Sequence, residues 1–374
     1  MTDDVIKGKG GKRMVVNISR EPLRSLFLDI DETDASLLPV VGRKCAFLGE
    51  LRKIGFEVPE GFFISIPVYE RFLRETGLED KIIKCACEAE EEGLNVEKCE
   101  ELAKKLRALI ENEEMPEWIR CEIEARYEKM CSKFGGKEIP VAVRSAGVES
   151  RPGMFETYLN VVGKAKVVEN VKKVWSSQFT ARAIAFRKNK GLPITADPLG
   201  VAVIRMIDAI ASGICFTMDP VTGETSKIII EANWGLGEGV VSGGESVDTY
   251  VVDKSTLCIL DRTIRKKEKM VRRLQDGGVE WVEVPESKAE TSCLTDSQVI
   301  EIAEKALRIE EKMGMPQDIE WAIDSESKVV YFLQTRAAKA LTLSPSEQIA
   351  RRMGSLHREI KIKPEALKEI QFKF

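Results

Sequence analysis

Near residue 195 the sequence changes texture, and that change bounds what the chain can fold into. Before it, apolar residues recur at helical spacing. In "EKCEELAKKLRALIENE", Cys99, Leu102, Ala103, Leu106, Leu109 and Ile110 fall on one face while the charges take the other. This helical region runs from about Pro67 to Lys133, after a helix that Gly55 stops and a turn through Pro59 and Gly61 into the strand "FFISI". In "AKVVENVKKVWSSQFTARAIAFRKNKG" a stripe of Val167, Val168, Val171, Val174, Trp175, Gln178 and Phe179 predicts another helix, ended by Gly191 and Pro193. Beyond it come strands: "GVAVIRMI", "GICFTMD", "KIIIEAN", "DTYVVD" and "VEWVEV", joined by turns such as "PVTGE" and "QDGG". A helix from about Thr295 and a last pair of strands, "DIEWAI" and "VVYFLQ", complete the pattern. The expectation is an α+β protein: a helix-rich N-terminal lobe over residues 1–195, a sheet-rich C-terminal lobe over 196–341, and a helical tail over 342–374.

Charge excludes some roles. A net charge of −4 gives no electrostatic case for nucleic acid, and the one basic cluster, Lys7 to Arg13, reads as an N-terminal arm. The apolar stretch "VAVIRMIDAIASGICF" is broken by Arg205 and Asp208, short of the roughly 18 residues a membrane span needs. No apolar signal core stands at the N-terminus, so the expected location is the cytoplasm, away from membranes. Nine cysteines without a CxxC pair, beside a single histidine, do not have zinc-site spacing and read as reduced thiols.

Three stretches carry chemistry. In "VAVRSAGVESRPGMFETYLNV", Arg144 stands at the end of a buried strand, ahead of a loop of small and flexible residues that is either an ordinary connection or a phosphate cradle. The same arginine also suits a plain structural pairing with a carboxylate. "NWGLGEGVVSGGE" packs five glycines into thirteen residues between strands, more than a turn needs; such backbone approaches a ligand closely, or simply links strands. In the final hairpin, a register that sets Ile323 opposite Val329 places Glu320, Gln334 and Arg336 on one face, and Ile319, Trp321, Tyr331 and Leu333 toward a core. A carboxylate and an amide oxygen are hard ligands for Mg²⁺, and a guanidinium forks onto phosphate. The bland alternative is a surface salt bridge between Glu320 and Arg336. Asp219, before Pro220, reads as a turn residue.

These stretches, with "VGRKCAFLGEL", "VPEGFFIS" and "SGICFTMDPVTGE", stand in the order of a known family. From Val41 to Arg336 the chain resembles the N-terminal, ATP-binding region of the phosphoenolpyruvate synthase and pyruvate phosphate dikinase family. The resemblance implies a two-lobed ATP-grasp fold with ATP and Mg²⁺ as cofactors. It implies that Lys44 and Arg144 reach the nucleotide phosphates, that the loop with Gly153 and Thr157 covers them, and that Glu320, Gln334 and Arg336 hold Mg²⁺ and phosphate. Lys44, Arg144 and Arg336 would be catalytic. Two departures bear on phosphate positioning: Arg43 where family members often carry glycine, and a short loop after Arg144. The histidine His357 does not resemble the family's phosphorylated one and reads as exposed. The expected activity is therefore that of a phosphotransferase subunit, passing the β-phosphoryl of ATP to a histidine on a separate protein, with release of AMP and inorganic phosphate. A phenylphosphate synthase-like subunit and a non-catalytic nucleotide sensor are the alternatives.

Overall fold

The computed structural model describes residues 26–340 except 92, 150, 152 and 242–245. The expected tail with His357, and the basic cluster Lys7 to Arg13, lie outside the described residues.

The strands form two antiparallel sheets and one separate hairpin. The first sheet holds β1 (Phe27–Asp29), β2 (Gly61–Ile64), β3 (Val141–Gly147), β4 (Thr157–Val161) and β5 (Leu199–Arg205), in the spatial order β1-β2-β5-β3-β4. Its helices are α1 (Leu38–Val41), α2 (Arg43–Lys53), α3 (Ile66–Glu75), α4 (Leu78–Glu91), α5 (Val96–Glu111), α6 (Glu117–Ser132), α7 (Lys164–Ser176) and α8 (Ala181–Asn189). The helical region expected from about Pro67 to Lys133 is four helices, α3 to α6.

Alternation along β3 and β5 explains how both sheet faces are covered. Val141, Val143, Val201 and Val203 point into a core shared with α3 to α7, where Trp175 stacks on Phe72 with ring centroids 5.1 Å apart. The stripe on α5 is Cys99, Leu102, Ala103, Leu106 and Ile110, all buried there; burial of each large apolar side chain contributes roughly 1.5–3 kcal/mol. Residues of opposite parity, Ala146, Ala202 and Ile204, join a second core with Cys45, Ala46, Leu48 and Leu51 of α2. Arg144 shares their parity and so faces away from the helical layer.

The second sheet holds β6 (Ala209–Phe216), β7 (Lys227–Trp234), β8 (Asp248–Asp253) and β9 (Ile259–Thr263). After the separate hairpin of β10 (Lys269–Arg273) and β11 (Val279–Glu283), the chain returns through β12 (Gln317–Asp324) and β13 (Val330–Ala337), giving the order β13-β12-β6-β7-β8-β9. Short helices α9 (Glu238–Val241) and α10 (Glu286–Ala289) precede α11 (Asp296–Met313). A capping box of Thr295 and Gln298 starts α11, and Gly314, left-handed at φ 70°, stops it. Val299, Ile302, Ala303, Ala306 and Ile309 bury its inner face against Cys215, Ile230, Ile319 and Trp321.

The architecture is mixed α+β, with a helix-rich region followed by a sheet-rich one. The change of texture and the change of sheet do not coincide. β5 follows Pro198 yet pairs between β2 and β3 in the first sheet, and the second sheet starts with β6 at Ala209. No helix among the described residues is long and apolar enough to cross a membrane.

Candidate functional site

Between the two sheets lies a cavity of about 600 Å³. The structure brings together on its wall all the residues singled out in the sequence: Lys44, Arg144, Gly153, Thr157, Glu320, Gln334 and Arg336. Lys44 sits in the first turn of α2. That helix starts hard against β3 because residue 42 is glycine: its φ is 82°, and a Cβ there would stand 2.1 Å from the Ala146 carbonyl oxygen. Thr157 opens β4 directly opposite Arg144 on β3. Gly153 holds a φ of 64° in the loop between them.

The hairpin reaches the expected clustering by a different register. Ile323 pairs with Val330, not Val329, an offset that alone would send Glu320 and Gln334 to opposite faces. A bulge after Glu320 leaves Leu333 without a partner on β12 and shifts the ladder by one, so that Glu320 faces Gln334 and Asp318 faces Arg336. The expectation that Tyr331 and Leu333 fill the core is corrected accordingly. Val330 and Phe332 are the buried residues beside Trp321 and Ile323, and Tyr331 and Leu333 are half-buried. The carbonyl of the unpaired Leu333 accepts Nη1 of Arg144 at 3.3 Å.

Arg144 ties the sheets together. Its Nη2 donates to Oε2 of Glu320 at 3.1 Å and to Oε1 of Gln334 at 3.3 Å, so both oxygens converge on one cationic nitrogen. The surface pair of Glu320 with Arg336 does not form. Arg336 instead holds Oδ2 of Asp318 through Nε and Nη2, each at 2.7 Å. Burial drives the Asp318 carboxyl above its ordinary range despite the guanidinium beside it. Lys44 is different in kind: it makes no hydrogen bond or ion pair with a described residue, and burial, with the Arg144 charge nearby, pushes it down to about 8.

Sequence reasoning missed several residues of this wall. Asp318 shares its face with Glu320 by simple alternation, a signal available in "DIEWAI". Glu238 lies inside the glycine-rich stretch; burial raises its carboxyl pKa. Arg151 chelates Asp197 at 2.9 and 3.0 Å, next to Gly153. Leu159, Met206, Ile207, Leu236 and Trp281 make an apolar part of the lining. Asp219 accepts the amides of Val221 at 2.8 Å and Thr222 at 3.2 Å, a turn residue as expected. Among the described residues no group of three or more His, Cys, Asp and Glu side chains is arranged to hold a metal.

A family model described as pyruvate phosphate dikinase, AMP/ATP-binding domain, matches residues 38–355. The chain is 39% identical over 331 residues to a probable phosphoenolpyruvate synthase of Methanocaldococcus jannaschii, covering 86% of this chain and 27% of that protein. It is 41% identical over 314 residues to the one of Archaeoglobus fulgidus, covering 82% and 40%. With that of Pyrococcus horikoshii it shares 36% over 354 residues, covering 83% and 43%. The chain spans less than half the length of these relatives.

Proposed function

The chain belongs to the pyruvate phosphate dikinase AMP/ATP-binding family, and from that premise we propose that it is the ATP- and Mg²⁺-binding part of a phosphoenolpyruvate synthase-like (pyruvate, water dikinase-like) phosphotransferase. Its fold in this reading is a two-lobed ATP-grasp, with residues 1–195 and 196–341 as lobes and β5 as the strand by which the second segment completes the first sheet. The histidine that takes the phosphoryl group is on a separate protein, and the reaction is cytoplasmic.

The observation that carries this reading is the convergence of Arg144, Glu320 and Gln334 from two sheets onto one point, beside a lysine that has no partner among the described residues, in a cavity large enough for a nucleotide. Lys44, Arg144 and Arg336 are placed to offset phosphate charge, which is most of what a phosphoryl-transfer site must do. The loop of Gly153 and Thr157 covers the phosphates. Glu320 and Gln334 offer two hard oxygens to Mg²⁺, which would draw charge from the phosphate oxygens. That donor set fits a cation, since both oxygens already accept from one positively charged group. Transfer breaks the bond between the α- and β-phosphates, AMP takes the electron pair as leaving group, and the imidazole nitrogen ends bonded to the β-phosphorus. Water then removes the γ-phosphate.

The test uses ATP labelled at the β-phosphoryl with Mg²⁺, with and without a histidine-bearing partner protein, following AMP and acid-labile protein phosphate. AMP with label on the partner is expected. Tight ATP binding without AMP in any combination points to a nucleotide sensor. Arg336→Ala should abolish transfer in a folded protein, while Glu320→Ala should shift the Mg²⁺ requirement of ATP binding upward.

A further inference from the structure

The β10–β11 hairpin belongs to neither sheet, yet it is fastened to both segments of the chain. At the middle of its first strand, the Val271 carbonyl accepts the Leu236 amide at 2.9 Å, and Gly235 bridges to Val271. At its tip, Asn160 of β4 reaches across from the first sheet. Its side-chain amide donates to the carbonyls of Leu274 and Gly278, each at 2.7 Å, and its own carbonyl accepts the Gly278 amide at 3.2 Å. Asn160 is 3% exposed and holds φ at 54°, a conformation asparagine tolerates better than most residues. Arg273 adds an ion pair to Asp208 at 2.6 Å.

Trp281 is the anomaly on this hairpin. It stands directly opposite Val271, so the two share a face. Val271 is 1% exposed, packed against Ala142, Met206 and Leu236, whereas Trp281 is 51% exposed. An inward-facing tryptophan left half uncovered borders empty space, and that space is the cavity, whose wall includes Trp281 with Leu159, Met206, Ile207 and Leu236. These neighbours carry no charge. Two residues along β3 from Ala142, the lining turns polar at Arg144.

We propose that the hairpin is a strap across the nucleotide cavity that presents Trp281 as a stacking surface for the base, with Asn160 as the positioning residue that holds the strap down. The proposal rests on the nucleotide reading above. A nucleotide whose phosphates meet Lys44 and Arg144 has to lodge a flat, uncharged ring elsewhere in the same cavity. The apolar wall is the part that accepts one without stranding polar groups. An indole face suits a purine ring, and the strap sets its position by hydrogen bonds from the opposite sheet.

The experiment compares ATP with inorganic triphosphate, which has the phosphates and no base. Titration calorimetry on the wild-type chain comes first; no ATP binding there overturns the nucleotide reading and this proposal with it. Given binding, Trp281→Ala should weaken ATP about 10- to 100-fold, the range of base–aromatic stacking, and leave triphosphate within about twofold. Trp281→Phe should keep most of the affinity. ATP, but not triphosphate, should change the tryptophan emission of the wild type, and that change should shrink in Trp281→Phe. Asn160→Gly, which keeps the positive φ accessible and removes only the amide, should lower ATP affinity and spare triphosphate. Equal ATP affinity in wild type and Trp281→Ala, or equal losses for ATP and triphosphate, would overturn the strap while leaving nucleotide binding intact.

Discussion

Two lysines, Lys267 wholly buried and Lys44 half-buried on the cavity wall, show how differently a fold treats the same charge. Lys267 is wholly enclosed: its Nζ donates to Oδ1 of Asp248 at 2.6 Å and to the Arg265 carbonyl at 2.8 Å, with both members of the ion pair 0% exposed. Asp248 is satisfied in turn by the amides of Cys293 at 2.9 Å and Arg265 at 3.2 Å. Lys44, on the cavity wall, has no such company, and its proton is correspondingly loosened, to about 8. A buried charge is costly unless paired. A closed pair supports structure, whereas an open one is tolerated where a ligand completes it.

The first way to break this contrast is Lys267→Met. It strands the Asp248 carboxylate in the core and should cost about 3–5 kcal/mol of stability, read by denaturant unfolding. Adding Asp248→Asn should recover most of that loss, because the remaining amide is neutral. ATP affinity of the folded single variant should equal the wild type. A loss below about 1 kcal/mol would mean that the pair does not hold β8 to the segment after β9.

The closed pair and the open lysine were not equally legible. Lys44 stands in a motif that the family resemblance brought out, whereas Lys267 and Asp248 are 19 positions apart with only charge to connect them. Much of the secondary structure follows from periodicity: the α5 stripe, the first part of the α7 stripe, and the alternation that turns Arg144 away from the helices; the one helix expected through to Gly191 instead breaks at Thr180 into α7 and α8. Long-range pairing does not. β5 reads as a strand, but nothing local says that it lies between β2 and β3, since a strand apolar on both faces fits the middle of any sheet. The grouping of Glu320, Gln334 and Arg336 was expected from a register that proved wrong at Ile323, and the bulge at Leu333 restored it. Bulges are set by packing on both faces, and "VVYFLQ" carries no glycine to announce one. Trp281 is invisible for a related reason: a tryptophan on a short strand reads as core until its exposure is known.

The second test exchanges the open lysine for an apolar residue. Lys44→Met should stabilise the ligand-free protein, because the native state no longer holds a poorly solvated ammonium. The displacement from 10.5 to about 8 bounds the gain at roughly 3 kcal/mol, and cavity water should bring it nearer 1 kcal/mol. The pH dependence has a defined sign. Since the folded lysine binds its proton less tightly than the unfolded one, wild-type stability should rise with pH between about 8 and 10.5, and Lys44→Met should lose that rise. The same variant should lose ATP affinity, about 10-fold or more, the reverse of its effect on stability. A variant destabilised like Lys267→Met would show that Lys44 is a structural lysine after all.

The smallest effect distinguishes a titrating charge from a permanent one. Bound phosphates favour the ammonium form, so ATP should bind best below pH 8 and weaken as Lys44 gives up its proton in the free protein. Between pH 7.5 and 8.5, where the γ-phosphate is already ionised, the protonated fraction falls about threefold, and the association constant should follow it. Lys44→Arg keeps the charge throughout this range, since a guanidinium does not titrate there, and should flatten the curve. Its affinity at pH 7 should stay within a few-fold of wild type if charge is what the site needs. A larger loss would say that the compact ammonium matters. A wild-type curve already flat through pH 8 would remove Lys44 from the phosphates, leaving Arg144 and Arg336 to offset their charge.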